Sequence, residues 1–65
     1  MIIATHIPSG STFEITGTVY KRDDNDALIM CVSYLNSEWL TDTNEFTVNE
    51  ETGEVYHDDY SISYT

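Results

Sequence analysis

Basic residues are almost missing from this chain. Lys21 and Arg22 are the only two, against twelve Asp and Glu, so 65 residues carry a formal net charge of −10. That balance excludes direct binding to nucleic acid, whose phosphates demand cations, and it opposes adhesion to anionic lipid. Cysteine is scarce too. Cys31 stands alone, so no intrachain disulfide is expected and a reducing location fits best, the cytoplasm (a host cell's, if the protein is viral). A single cysteine and two histidines without ligand spacing offer no zinc site. The three glycines are scattered and make no phosphate-cradling loop. No apolar run approaches the ~20 residues of a membrane helix. Met1–His6 lacks the basic stretch that opens a signal peptide, and none is expected.

What is present argues for a fold. Hydrophobic residues make up 40% of the chain, among them five Tyr, two Phe and one Trp, too many for a disordered acidic tail. The length allows one acidic domain, residues 1–65, with a small core. Pro8-Ser9-Gly10-Ser11 is a turn signal after a β-prone run from Ile2 to Ile7. Phe13, Ile15, Gly17 and Val19 then alternate with Glu14, Thr16, Thr18 and Tyr20, which predicts a strand with one apolar face. Lys21 and Arg22 end it, and Asp23-Asp24-Asn25-Asp26 follows as a charged turn.

Residues 27–40 admit two readings. Leu28, Val32, Leu35 and Trp39 recur at spacings of four, three and four, the stripe of an amphipathic helix. The acidic cluster before it supplies an N-cap and favourable charge. Ile29, Cys31, Val32 and Tyr34 instead favour a strand, with 27–35 closing a hairpin over an Asp-rich turn that lacks glycine. A one-faced sheet this small needs a cover, so the expected fold is α+β: about four antiparallel strands with one covering helix, in the order ββαββ. The alternative is an all-β, five-stranded small barrel. Trp39 is expected in the core if the segment is helical, and exposed as a binding hot spot if it is a strand. Phe46 and Val48, a turn over Asn49–Glu54, and Val55-Tyr56-His57 read as a closing hairpin. Tyr60, Ile62 and Tyr64 alternate with Ser61, Ser63 and Thr65 in a further strand.

No catalytic constellation emerges. Cys31 with His6 or His57 has no nucleophile–base context; the thiol reads as a small buried group and the histidines as surface or edge residues. Carboxylate pairs abound, but acid catalysis needs one held protonated in a dry pocket, for which the chain has little volume. Asp23-Asp24-Asn25-Asp26 offers oxygen ligands without the order of a calcium loop. The chain is expected to be no enzyme and to need no metal or cofactor.

The acids fall in groups: Asp23, Asp24 and Asp26; then Glu50, Glu51 and Glu54, followed by Asp58 and Asp59. Tyr56 and Tyr60 flank the last pair and can offer ring area beside a carboxylate to a partner's arginine. A compact chain of this length is roughly 28 Å across. Duplex DNA of that length carries about 16 phosphates, ~8 of them on one side. The eight grouped acids match that number if they converge. In size, charge and lack of a catalytic motif, though in no aligned stretch, the chain resembles the small acidic proteins that bacteriophages use against host nucleic-acid enzymes, such as anti-CRISPR, anti-restriction and glycosylase-inhibitor proteins. The leading expectation is therefore a nucleic-acid mimic that inhibits a basic nucleic-acid-binding protein by filling its DNA or RNA groove. The eight acids, Tyr56 and Tyr60 would form the partner-binding face. The alternative is a small interaction or assembly module. In it, the uncharged segment Tyr60–Thr65 pairs at a sheet edge with a partner's strand, or with its own copy in a homodimer.

Overall fold

The computed structural model describes residues 1–36 and 38–65. Seven strands follow in chain order: β1 (Ile2–His6), β2 (Thr12–Glu14), β3 (Gly17–Arg22), β4 (Leu28–Leu35), β5 (Thr41–Val48), β6 (Val55–Tyr56) and β7 (Tyr60–Tyr64). They form two antiparallel sheets, one ordered β2-β1-β7 and the other β3-β4-β5-β6. β2 and β3 are one path with a bend. The Ile15 amide donates to the Ile2 carbonyl of β1 at 2.9 Å, and the next amide, Thr16, donates to Ser33 of β4 at 2.8 Å. Successive peptide groups of an extended chain face opposite ways, so one strand serves both sheets. The result is two small antiparallel sheets packed on each other and joined by a strand that bends from one into the other.

The expected α+β fold with a covering helix is overturned: no helix occurs among the described residues. Leu28–Leu35 is β4 and Thr41 opens β5; Ser37 lies outside the described residues. The period that decides is two. Met30, Val32 and Tyr34 are buried while Ile29, Cys31 and Ser33 are only half-buried, and the cross-strand partners of Met30 and Val32 are Phe46 and Asn44. The helical spacing of Leu28 and Val32 was a coincidence, since positions four apart also share a strand face. The sheet does receive its cover, from the other sheet rather than from a helix. The all-β alternative is compatible with this architecture.

The core lies between the sheets. Ala4, Met30, Val32, Tyr34 and Phe46 are buried. Ile15, Val48, Val55, Tyr60 and Ile62 pack against Met30, Val32 and Phe46, and the Phe13 and Tyr34 rings meet at 4.8 Å. The molecule measures 34 × 21 × 20 Å with a radius of gyration of 11.9 Å, somewhat more drawn out than the about 11 Å of an average chain this long.

Three of the turns share one device. Asp23, Asn36 and Asn49 each open a turn, and the side-chain oxygen of each accepts two backbone amides further on: Asn25 and Ala27, Glu38 and Leu40, Glu51 and Thr52. Each turn then ends through a residue at positive φ: Asp26 (63°), Trp39 (61°) and Gly53 (79°). A left-handed residue closing a short loop is a common hairpin device; Asp26 donates back to Asp23 and Trp39 to Asn36, while Gly53 donates to Asn49, one residue further back. Asp26 explains how the Asp-rich turn closes without glycine, because Asp tolerates the left-handed region. Trp39 does not tolerate it well, and it is 80% exposed, which overturns the expectation of a core tryptophan.

Two stability outcomes follow. A 65-residue domain has on the order of 3–10 kcal/mol in total, and truncating a buried Phe costs about 3–5, so Phe46→Ala should leave the chain largely unfolded at 37 °C by circular dichroism. Trp39→Asn should do the reverse. It loses no burial and relieves a left-handed strain of about 1–2 kcal/mol, so its urea midpoint should equal or exceed that of the parent. A clear loss of midpoint would show that the indole packs on the body of the protein.

Candidate functional site

The ladder between β1 and β7 determines which backbone groups of β7 remain free. Met1 and Thr65 exchange two hydrogen bonds, at 2.7 and 2.8 Å, and Ile7 donates to Asp59 at 2.8 Å. With the register Ile3 to Ser63 and Thr5 to Ser61, the bonded pairs are therefore the odd-numbered residues. The N–H and C=O groups of Tyr60, Ile62 and Tyr64 point the other way, toward the edge. Among the described residues no strand pairs with that side of β7.

Beside this edge lies a groove of about 360 Å³, lined by Thr52, Gly53, Glu54, Val55, Ile62 and Tyr64. It separates the arm that enters β6 from β7, two segments joined covalently by 57–59 but not by a ladder. Val55 opposes Val48 next to the bonded pair of Asn49 with Glu54, so by the same alternation its own peptide groups also face away from β5. The floor is apolar through Val55 and Ile62. Tyr64, 63% exposed, forms one wall, and Glu54 supplies the only charge in the lining.

β3 is the other long edge, and all six of its residues are exposed. It differs in chemistry. It ends in Lys21 and Arg22, and charged side chains on an edge strand discourage pairing. β7 has no charged residue, no proline and no bulge.

The acidic groups converge in part. The register places the β3–β4 and β5–β6 turns at the same end of the second sheet, which brings Asp23, Asp24 and Asp26 near Glu50, Glu51 and Glu54. Arg22 sits among them. It donates to Glu50 at 2.6 Å and to the Asp26 carbonyl at 3.0 Å, and its guanidinium lies 4.0 Å from the Asp26 carboxylate. Lys21 pairs with Glu45, so both cations of the chain are engaged. Each pair shifts its members in the expected direction. Hydrogen bonding to Glu50 raises the Arg22 pKa and hydrogen bonding to Arg22 lowers that of Glu50, and Lys21 and Glu45 behave likewise. Asp58 and Asp59 belong to the link between β6 and β7 instead. Asp58 accepts the Tyr56 hydroxyl at 2.6 Å, which raises the tyrosine pKa.

The two tyrosines assigned to the partner face part company. Tyr56 is 66% exposed and free to make contacts. Tyr60 is half-buried, its ring 4.9 Å from His6, 5.1 Å from His57 and 6.4 Å from Phe46. Both histidines are therefore half-buried packing groups, not surface ones. Cys31 is on the opposite face of β4, 3.5 Å from Glu45, so the sheet stands between the thiol and the His57 ring that packs on Phe46. No group of three or more His, Cys, Asp or Glu suits a metal ion among the described residues. The alternation marks Tyr60–Thr65 but not the facing arm, Thr52–Val55, because nothing local signals that two segments joined by 57–59 will lie side by side without pairing.

No protein-family model, curated protein or solved structure matches this chain.

Two measurements test this description. Amide hydrogen exchange should alternate along β7 in the free protein, with Tyr60, Ile62 and Tyr64 fast and Ser61 and Ser63 protected; uniform protection would mean that the edge is covered. Burial, and after it the neighbouring Tyr60 hydroxyl, pushes the Tyr34 pKa up to about 12. The unfolded chain ionises at the ordinary value near 10 while the folded chain keeps its proton, so stability should fall as pH rises from about 10 to 12. Tyr34→Phe should remove that part of the alkaline decline.

Proposed function

We propose that this chain is a non-enzymatic interaction module that binds an extended segment of a partner protein as an added strand on β7. The observation that carries the reading is the row of outward backbone groups at Tyr60, Ile62 and Tyr64 on an uncharged edge beside an apolar groove. Main-chain hydrogen bonds supply affinity in this mode, and side-chain pockets supply selectivity. Such an edge is a hazard that soluble proteins ordinarily blunt, as β3 does here with Lys21 and Arg22, so leaving β7 bare is consistent with use. A reducing cytoplasm suits the single thiol.

A second reading keeps the acidic end as the working surface, an inhibitor that fills the DNA- or RNA-binding groove of a basic protein. It is favoured by the six carboxylates carried on two turns at one end of the second sheet, of which Glu50 and Asp26 reach Arg22. Partner arginines would meet these groups in bidentate pairs, and association would be fast and sensitive to salt.

One titration separates the two. A ten-residue peptide alternating Val and Lys is added to isotopically labelled protein, and amide exchange and chemical shifts are followed. Strand addition predicts new protection at Tyr60, Ile62 and Tyr64, surviving at 0.5 M NaCl. Tyr64→Pro removes one outward N–H while sparing the β1 ladder, as edge positions allow, and should abolish binding with the fold retained. Shifts confined to 23–26 and 50–51 that vanish with salt, with no protection at β7, would overturn strand addition in favour of the acidic end.

A further inference from the structure

We infer that the strand received by β7 alternates apolar and basic side chains, the apolar ones entering the groove over Val55 and Ile62 and a lysine or arginine meeting Glu54 at its rim. This rests on the strand-addition reading and names the partner's chemistry. Three observations carry it. First, side chains of an added strand alternate between the two faces of the sheet. On the inner face the continuation of β7 meets an apolar floor of Ile62 and Val55, with Tyr64 as one wall and no cation in the lining. A small or branched apolar residue fits there; a charge would be desolvated without a partner.

Second, Glu54 is the one charged group in the lining, and it makes no salt bridge among the described residues. Its backbone is held on both sides: the amide donates to Thr52 Oγ1 at 3.3 Å and the carbonyl accepts from Asn49 at 2.8 Å. The carboxylate is thus carried on an anchored arm and has not been spent internally, unlike Glu45 and Glu50.

Third, the charge of the whole molecule selects the occupant. A second copy would bring another −10 to the same edge, and its β7 has no cation to offer Glu54. An acidic segment would be repelled at long range, whereas a basic one is steered in. The free protein should accordingly stay monomeric at physiological salt.

The test uses the intact chain with three ten-residue peptides, Val alternating with Lys, with Thr or with Glu, measured by fluorescence anisotropy and checked by amide exchange at β7. The Lys peptide should bind at least tenfold more tightly than the Thr peptide, and the Glu peptide should not bind. Glu54→Gln should weaken the Lys peptide about three- to tenfold and leave the Thr peptide unchanged; Glu51→Gln, outside the groove lining, should do neither. Equal affinity for the Lys and Thr peptides, with Ile62 and Tyr64 still protected, would overturn the basic partner while strand addition stands. No protection at β7 with any peptide would overturn both. Sedimentation velocity showing a dimer whose β7 amides are protected would replace the partner with a second copy.

Discussion

The bend at Ile15–Thr16 is the constraint on which the rest of the molecule depends. One amide goes to β1 and the next to β4, so a single strand belongs to two sheets and folds them onto each other. The core exists because of that overlap. Met30, Val32 and Phe46 would lie on a bare sheet face without Ile15, Tyr60 and Ile62 above them. The same bend creates an asymmetry. On its side the two sheets are joined by continuous hydrogen bonding, whereas on the far side no ladder joins β6 to β7 among the described residues. The groove between them is the seam that the short link 57–59 leaves unpaired.

Electrostatics acts on this frame without shaping it. A net charge of −10 opposes compaction, and the chain places its two cations where they tie strands to neighbours. Lys21 holds β3 against β5 through Glu45, and Arg22 holds the end of β3 to the β5–β6 turn through Glu50. Both pairs are exposed and each contributes little to stability. Their larger effect is on character: they leave one long edge charged and the other neutral, and they leave Glu54 as an unspent acid beside the neutral one. The strand edge and the acidic end thus meet at the β5–β6 turn, where Glu54 belongs to both. The Trp39 turn, with Glu38 and Asp42 beside it, lies at the other end of the β4–β5 hairpin from the Asp23–Asp26 and Glu50–Glu54 turns.

Much of the local structure was legible. The alternation from Tyr60 to Thr65 marked a real strand, and Pro8–Ser11 and Asn49–Glu54 marked real turns; that from Phe13 to Tyr20 marked extended chain, but as two strands, and its apolar face does not extend to β3, where Val19 is exposed. Residues 27–40 were misread because Leu28 and Val32 fit both periods, and because the cover for a small sheet was sought in the nearest segment. A signal for the correct reading was present: Asp23, Asn36 and Asn49 recur thirteen residues apart, each opening a hairpin turn with its side chain. Eight residues of strand and a short turn fill that interval.

By itself the sequence determined composition, charge, the alternating faces and the turn chemistry, since these rest on residues within a few positions of one another. Strand order, the sharing of β2 and β3 between sheets, the burial of Tyr60 against both histidines, and the gap between Thr52–Val55 and β7 were decided only by tertiary structure. Each of those depends on which distant strands compete for the same hydrogen-bonding edge. Local sequence specifies that a residue is extended and which way its side chain alternates. Whether its outward peptide groups meet another strand or solvent is a property of the whole chain.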